Sequence, residues 1–170
     1  MSLAGQRLDP RRYTVVPRTL SFLVRGDEVL LLRLGADRGD WSGRLNGLGG
    51  HIEPGEDVLT SARREIREEA GLSPGDLRLC GVVMIDIGPP GIGLFVMVGS
   101  LPADASPQGG PEGRPEWVRL DRLEQAHLVE DLPTLIPRAL ACHAAREVFL
   151  ARYHFDEAGG LRISFADTAA

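Results

Sequence analysis

The chain has 170 residues, 43% of them hydrophobic and 25% charged, which suits one soluble globular domain able to bury a core. Its net charge of -5 excludes a general binder of nucleic-acid polymers, which needs a positive surface, but leaves room for a phosphorylated small molecule screened by a divalent cation. All 19 basic residues are arginine, so Schiff-base and lysine-nucleophile chemistry are excluded as well.

Residues 1–17 are polar and contain no apolar run of signal-peptide length, and no later run is long enough to span a membrane. They are expected to form a flexible tail ending at Pro17, ahead of a single domain over 18–170 in a cytoplasmic protein with no membrane partner. Two apolar runs follow within RTLSFLVRGDEVLLLRL, separated by Arg25-Gly26-Asp27-Glu28, which predicts a tight hairpin. Gly35 to Gly50 reads as loop. From Asp57 to Ala70, Val58, Ala62 and Ile66 recur every four residues; Asp57 suits the N-cap and Gly71 the left-handed C-terminal position, so a helix is predicted.

LRLCGVVMIDIG and GIGLFVMVGSL read as strands joined by a turn at Gly88-Pro89-Pro90-Gly91, and PADASPQGGPEGRP as a long loop. EWVRL is a short strand, and DRLEQAHLVEDLP a short helix running into a loop. LPTLIPRALACHAAREVFLA is predicted as one longer helix, with Pro137 near its start or at a kink. ARYHFDEAGGLRISF closes the chain as a hairpin turning at Gly159-Gly160. Cys80 and Cys142 have no metal-type spacing and are expected to be buried, reduced thiols. Mixed strands and helices without regular alternation predict an α+β fold, arranged as an α/β/α sandwich with a mixed sheet.

The predicted helix carries Glu65, Glu68 and Glu69, related as i, i+3 and i+4, so the three carboxylates share one side. Such an array repels itself and reads either as a solvated face laced with ion pairs to Arg64 and Arg67 or as a site for a hard cation such as Mg²⁺ or Mn²⁺. Gly47, Gly49 and Gly50 lie just upstream, where their backbone can approach a ligand closely, and Glu56 precedes the helix.

Gly50, then Glu56, then Arg64-Glu65-Ile66, Glu68-Glu69 and Gly71-Leu72 stand at the spacings of the Nudix box, with every specified position filled. The chain resembles the Nudix hydrolases. That resemblance implies a Nudix-type sandwich and cleavage of a nucleoside diphosphate linked to another group, with Mg²⁺ or Mn²⁺ as cofactor. It implies Glu68 and Glu69 as metal ligands, with the carbonyl of Gly49 or Gly50 completing the site. Glu65 would bind a second ion or act as the base, Arg64 would orient the carboxylates, and Glu56 would support them from behind.

Beyond the box, RTLSFLVRGDEVLLLRL, RLNGLGGHIEPGE, EGRPEWVRLDRL and FLARYHFDEAGGLRISF are similar to the oxidised-purine nucleoside triphosphate hydrolases, which clean nucleotide pools of species such as 8-oxo-dGTP. This implies a nucleotide as the small-molecule partner. Asn46 would hydrogen-bond the base, and Glu130 with Asp131 would read the purine edge. Glu112 would hold a metal or assist the water, with Glu116 as its rival. The chain departs from that branch in two places. The stacking tryptophan is replaced by Val129 or Leu128, for which Trp41 or Phe22 could substitute while Trp117 belongs to the core, and the pocket lysine is replaced by Arg33 or Arg38. The ADP-ribose branch is the alternative, with Pro89 or Pro90 at its proline, although 17 polar residues cannot supply its N-terminal dimerisation domain. Dinucleoside polyphosphate hydrolases carry a tyrosine soon after the box, whereas the next one here is Tyr153. A non-catalytic binding module would lose box glutamates, and none is missing. Apolar strand edges would permit a homodimer.

Overall fold

The computed structural model describes residues 11–166, so most of the expected tail lies outside the described residues. Eight strands and two α-helices are formed: β1 (Val15–Arg25), β2 (Glu28–Leu34), β3 (Leu45–Asn46), α1 (Val58–Ala70), β4 (Arg78–Asp86), β5 (Gly91–Ser100), β6 (Gly113–Arg119), α2 (Leu132–Ala145), β7 (Phe149–Phe155) and β8 (Leu161–Phe165). They form one mixed sheet in the order β3-β2-β1-β5-β4-β7-β8, with β6 paired to β2. β1 runs parallel to β5 and β4 parallel to β7, while the other pairs are antiparallel.

Alternation along β1 sends Phe22 to one face and Leu23 to the other. Leu23, Leu30 and Met97 meet Ala62, Ile66 and Ala70 of α1, while Phe22, Val96 and Val98 belong to the core closed by Leu132, Leu135 and Ile136 of α2. Ile66 is fully buried, worth about 1.5–3 kcal/mol against leaving it in water. One helix on each face gives the expected α/β/α sandwich. Cys80 and Cys142 are buried, free thiols. No helix among the described residues is long and apolar enough to cross a membrane.

Several boundaries differ from the sequence reading. β1 begins at Val15, so Val15 to Pro17 pair with Gly91 to Gly93 of β5 rather than ending a tail. β6 begins at Gly113, and Pro115, which has no N–H to give, is tolerated because β6 lies on the outside of β2. Between Gly35 and Gly50, Leu45–Asn46 forms a short strand against β2. The last helix stops at Ala145, capped by Arg146 in a left-handed conformation (φ 60°), and Phe149 opens β7 instead of extending α2. Buried Phe149, Ala151 and Tyr153 have the period of a strand, and Gly81 leaves the space that the Phe149 ring fills. α2 runs through Pro137, with Pro133 in its first turn.

One irregularity positions the site. β1 pairs with β2 only at Leu23 to Arg25, and the segment from Leu48 to Gly50 takes up the diverging end of β1. Thr19 N donates to Gly50 O at 2.9 Å, and Ser21 N to Leu48 O at 2.6 Å. The glycines are therefore held against the sheet beside α1.

Candidate active site

Ten of the residues expected at the site from sequence, Asn46, Gly49, Gly50, Arg64, Glu65, Glu68, Glu69, Glu112, Glu130 and Asp131, line one cavity of about 840 Å³. Arg64, Glu65, Glu68, Glu69, Gly49, Gly50 and Glu112 lie at its charged part, and Asn46, Glu130 and Asp131 share the cavity with Leu94, Val129, Phe155 and Leu161.

The carboxylates of α1 are not a uniformly wet face. Glu65 and Glu69 are 7% and 3% exposed, buried alongside Ala62, Ile66 and Ala70, while Glu68 remains exposed. Two glycines make this possible. At Gly49 φ is +150°, and a Cβ there would stand 2.2 Å from the carbonyl oxygen of Thr19; its N–H donates to Glu69 Oε2 at 2.7 Å. A Cβ on Gly50 would lie 2.4 Å from Glu65 Oε1, so only glycine leaves that carboxylate its place.

Arg64 organises the cluster. Its Nε and Nη2 donate to Glu56 at 2.7 and 3.0 Å, Nη1 to Glu65 Oε1 at 2.9 Å and Glu68 Oε2 at 3.1 Å, and Nη2 also to the His51 carbonyl at 3.0 Å. The guanidinium and the Glu53 N–H hold the Glu56 carboxyl down at about 2. Glu65 moves the other way, because burial outweighs the attraction of Arg64. Glu69 is pushed up to about 8, chiefly by burial and further by the charges of Glu65 and Glu112, against the opposing Gly49 N–H.

Glu112 precedes β6, where Gly35 N donates to its backbone oxygen, and its carboxylate pairs with Arg38. Glu116 is elsewhere: Arg33 grips it in a two-pronged pair at 2.6 and 2.7 Å beside a separate shallow groove. Of the two candidate acids, Glu112 is the one in the main cavity, and of the two candidate arginines it is Arg38.

At the apolar part, Leu45 N donates to His127 O and Val129 N to Leu45 O, which joins the chain before α2 to β3 and sets Glu130 and Asp131 near Asn46. Asn46 Oδ1 accepts from Gly47 N at 2.9 Å, leaving its NH₂ for a ligand. Glu130 is exposed at the rim and held by Arg44 at 2.5 Å, whereas Asp131 is raised by burial. Trp41 lines the cavity at 43% exposure; Phe22 is buried in the core, and Trp117 packs beneath the Arg25 guanidinium at 3.8 Å. Of the two candidates for stacking, Trp41 reaches the cavity, and of the two residues that could replace the tryptophan, Val129 does.

The sequence profile of the NUDIX domain matches residues 15–139, well over half of the chain. The chain belongs to the NUDIX family. It is 32% identical over 110 residues to a Mus musculus protein named oxidized purine nucleoside triphosphate hydrolase, covering 62% of this chain and 70% of that protein. The fold is similar to that of a mMutator MutT protein from Bacillus halodurans, with a TM-score of 0.64 and 21% identity over 89% of this chain and 97% of that one. The NUDIX domain of Shewanella oneidensis NrtR, solved with ADP ribose, also gives a TM-score of 0.64, at 17% identity over 83% of this chain and 98% of that one. The protein is thus a Nudix hydrolase, an enzyme acting on nucleotide anhydrides.

Within this Nudix domain, Arg44 beside the cavity and Tyr153 and Phe155 in its lining were not singled out from sequence as site residues. Arg44 lies in a loop whose pairing with Glu130 spans 86 positions, a contact no local pattern announces. Tyr153 and Phe155 are carried by β7, and their alternation with exposed Leu150 and Arg152 was the signal available to find them.

Proposed function

We propose that this Nudix hydrolase cleaves nucleoside triphosphates to the monophosphate and pyrophosphate with Mg²⁺ or Mn²⁺, in the cytoplasm, and that an oxidised purine such as 8-oxo-dGTP is its leading substrate. The observation that carries this reading is that one cavity joins the carboxylate cluster of α1 to Asn46 and Asp131 among apolar walls. A nucleotide has the same two-part chemistry, with charged phosphates at one end and a flat base with polar edges at the other. The name of the mouse relative points to the same substrate class.

The donors fit a hard divalent cation. Glu65, Glu68, Glu69 and Glu112 offer only oxygen, and burial makes ionised Glu65 and Glu69 costly unless positive charge stands beside them. Among the described residues no three acidic, His or Cys side chains already converge on a single ligating point, and Glu65 and Glu68 both accept from Arg64. Glu68 and Glu69 would hold the cation together with the Gly49 carbonyl, since Gly50 O already accepts from Thr19; Glu65 would hold a second ion or act as the base. When bound, divalent cations neutralise phosphate oxygens and make water a better nucleophile.

The chain's own residues supply the rest. Arg64 keeps Glu65 and Glu68 aligned, Glu56 fixes Arg64, and Arg38 holds Glu112 at the cavity wall, where it can orient or deprotonate the attacking water. Asn46 donates its NH₂ to the base. Asp131 offers either an O–H or a carboxylate oxygen, the choice that a purine edge requires.

The test is release of pyrophosphate and phosphate with Mg²⁺ across 8-oxo-dGTP, the normal dNTPs, ADP-ribose and diadenosine polyphosphates. Fastest pyrophosphate release from 8-oxo-dGTP is expected. Preference for ADP-ribose or a dinucleotide would leave the anhydride chemistry intact and refute the roles of residues 128–131.

A further inference from the structure

Asp131 stands at the start of α2, where aspartate ordinarily accepts a hydrogen bond from the first free N–H groups of a helix. Here its backbone is already helical (φ -85°, ψ -21°), and its side chain makes no capping bond. The carboxyl forgoes that local partner and lines the cavity instead.

Tyr153 lines the same cavity from β7, in register with Ile85 of β4 on one side and Ile163 of β8 on the other. The residue is 2% exposed, and its Oη is shut off from solvent without a hydrogen-bond partner. A phenol oxygen left that way is costly, and phenylalanine would fill the same slot without the cost. Burial, and after it the charge of Asp131, raises the phenol's pKa, and burial raises the carboxyl's own. The two groups line one cavity and act on each other, yet the phenol oxygen has no formed bond, so a turn of the carboxyl toward it would satisfy the phenol.

We propose that Tyr153 is a positioning residue for base discrimination: its hydroxyl donates to one carboxyl oxygen of Asp131 when a base occupies the cavity, and so fixes which group of Asp131 the base meets. This rests on the reading that the cavity takes a purine nucleotide. The chemistry lies in what an unanchored carboxyl can do. Free to turn and to carry its proton on either oxygen, it presents a donor or an acceptor with equal ease. A guanine-type base offers the O6 acceptor where adenine offers the N6 donor, so a carboxyl that can do both distinguishes neither. Anchored by Tyr153 on one oxygen, Asp131 presents the other in a single role. Tyr153 thus acts on the base's edge through Asp131.

The experiment measures equilibrium binding of dGMP, 8-oxo-dGMP and dAMP by calorimetry to the wild type, Tyr153→Phe, Asp131→Asn and the double variant, with melting temperature and pyrophosphate release followed separately. Tyr153→Phe is expected to melt no lower than the wild type and to weaken binding of the preferred monophosphate about tenfold, narrowing the preference among the three by the same factor. In the Asp131→Asn background it should add no further loss, because the two act as one unit. An unchanged preference in Tyr153→Phe, whether all affinities hold or all fall together, overturns the proposal. So does a wild type that binds the three alike, or a Tyr153→Phe protein that melts far lower, which would assign the hydroxyl to the fold. A wild type that discriminates among monophosphates through Tyr153 yet releases no pyrophosphate would remove the functional reading and leave the role of Tyr153 standing.

Discussion

Glu69 and Glu56 lie on the two sides of Arg64's cluster, and the protein treats their charges in opposite ways. Glu56 is held down at about 2 by Arg64, so its contribution to stability is present above the ordinary carboxylate range and is lost as pH falls from about 4.5 towards 2. Glu69 is raised to about 8, so the folded state holds a proton that the unfolded chain has released between about 4.5 and 8. Its contribution is therefore fully present below about 4.5 and is lost as pH rises through 8. Cation-free protein is expected to lose melting temperature on both flanks. Mg²⁺ should restore the alkaline flank, and Glu69→Gln should flatten it. Melting curves from pH 3 to 9, in chelator and in Mg²⁺, check this; an alkaline flank of equal slope in wild type and Glu69→Gln would contradict it.

At the scale of elements, the site depends on how closely α1 lies against the Leu48–Gly50 segment, and the two glycines limit that approach differently. Gly49→Ala sets a Cβ against the Thr19 carbonyl, backbone that cannot yield, at a φ of +150°; a loss of about 3 kcal/mol or more is expected by chemical denaturation. Gly50→Ala meets a side-chain end, the Glu65 carboxylate, rather than backbone, so stability should fall by about 1 kcal/mol or less while turnover drops about tenfold or more. Equal stability losses in the two variants would refute this division. The same contrast shows what sequence can carry. α1 was legible from end to end because Asp57 and Gly71 are standard caps and Gly71 does take the left-handed conformation (φ 66°). The end of α2 was not, because Arg146 occupies the left-handed position where glycine usually marks a stop. Arg146→Gly should accordingly stabilise the protein by about 0.5–1 kcal/mol, read as a rise in melting temperature, and a fall would contradict the cap.

At the scale of the whole molecule, the sheet brings together three stretches far apart in sequence: the glycine segment with α1, the entry to β6 and the start of α2. The box was readable because its residues are local and their spacing is helical. Its burial was not, since i, i+3, i+4 spacing places Glu65 and Glu69 on one side without saying that the side faces a cavity wall. Glu112 and Glu116 are four residues apart on one loop and strand, and long-range pairing, Arg38 with Glu112 and Arg33 with Glu116, separates their positions. The fold alone does not choose the substrate, as a NUDIX domain with ADP ribose has the same architecture. On the proposed reading, specificity comes from the cavity walls at Asn46, Trp41, Asp131 and Tyr153.

In the proposed function the α1 carboxylates hold the cation on which hydrolysis depends. The most direct measurement is the rate of pyrophosphate release from 8-oxo-dGTP as Mg²⁺ is titrated into the wild type and into Glu69→Gln, with circular dichroism to confirm that both are folded. Saturable activation of the wild type, absent in the chelator, and a loss of about a hundredfold or more in the variant are expected. Near-normal, Mg²⁺-activated release by folded Glu69→Gln would contradict the account.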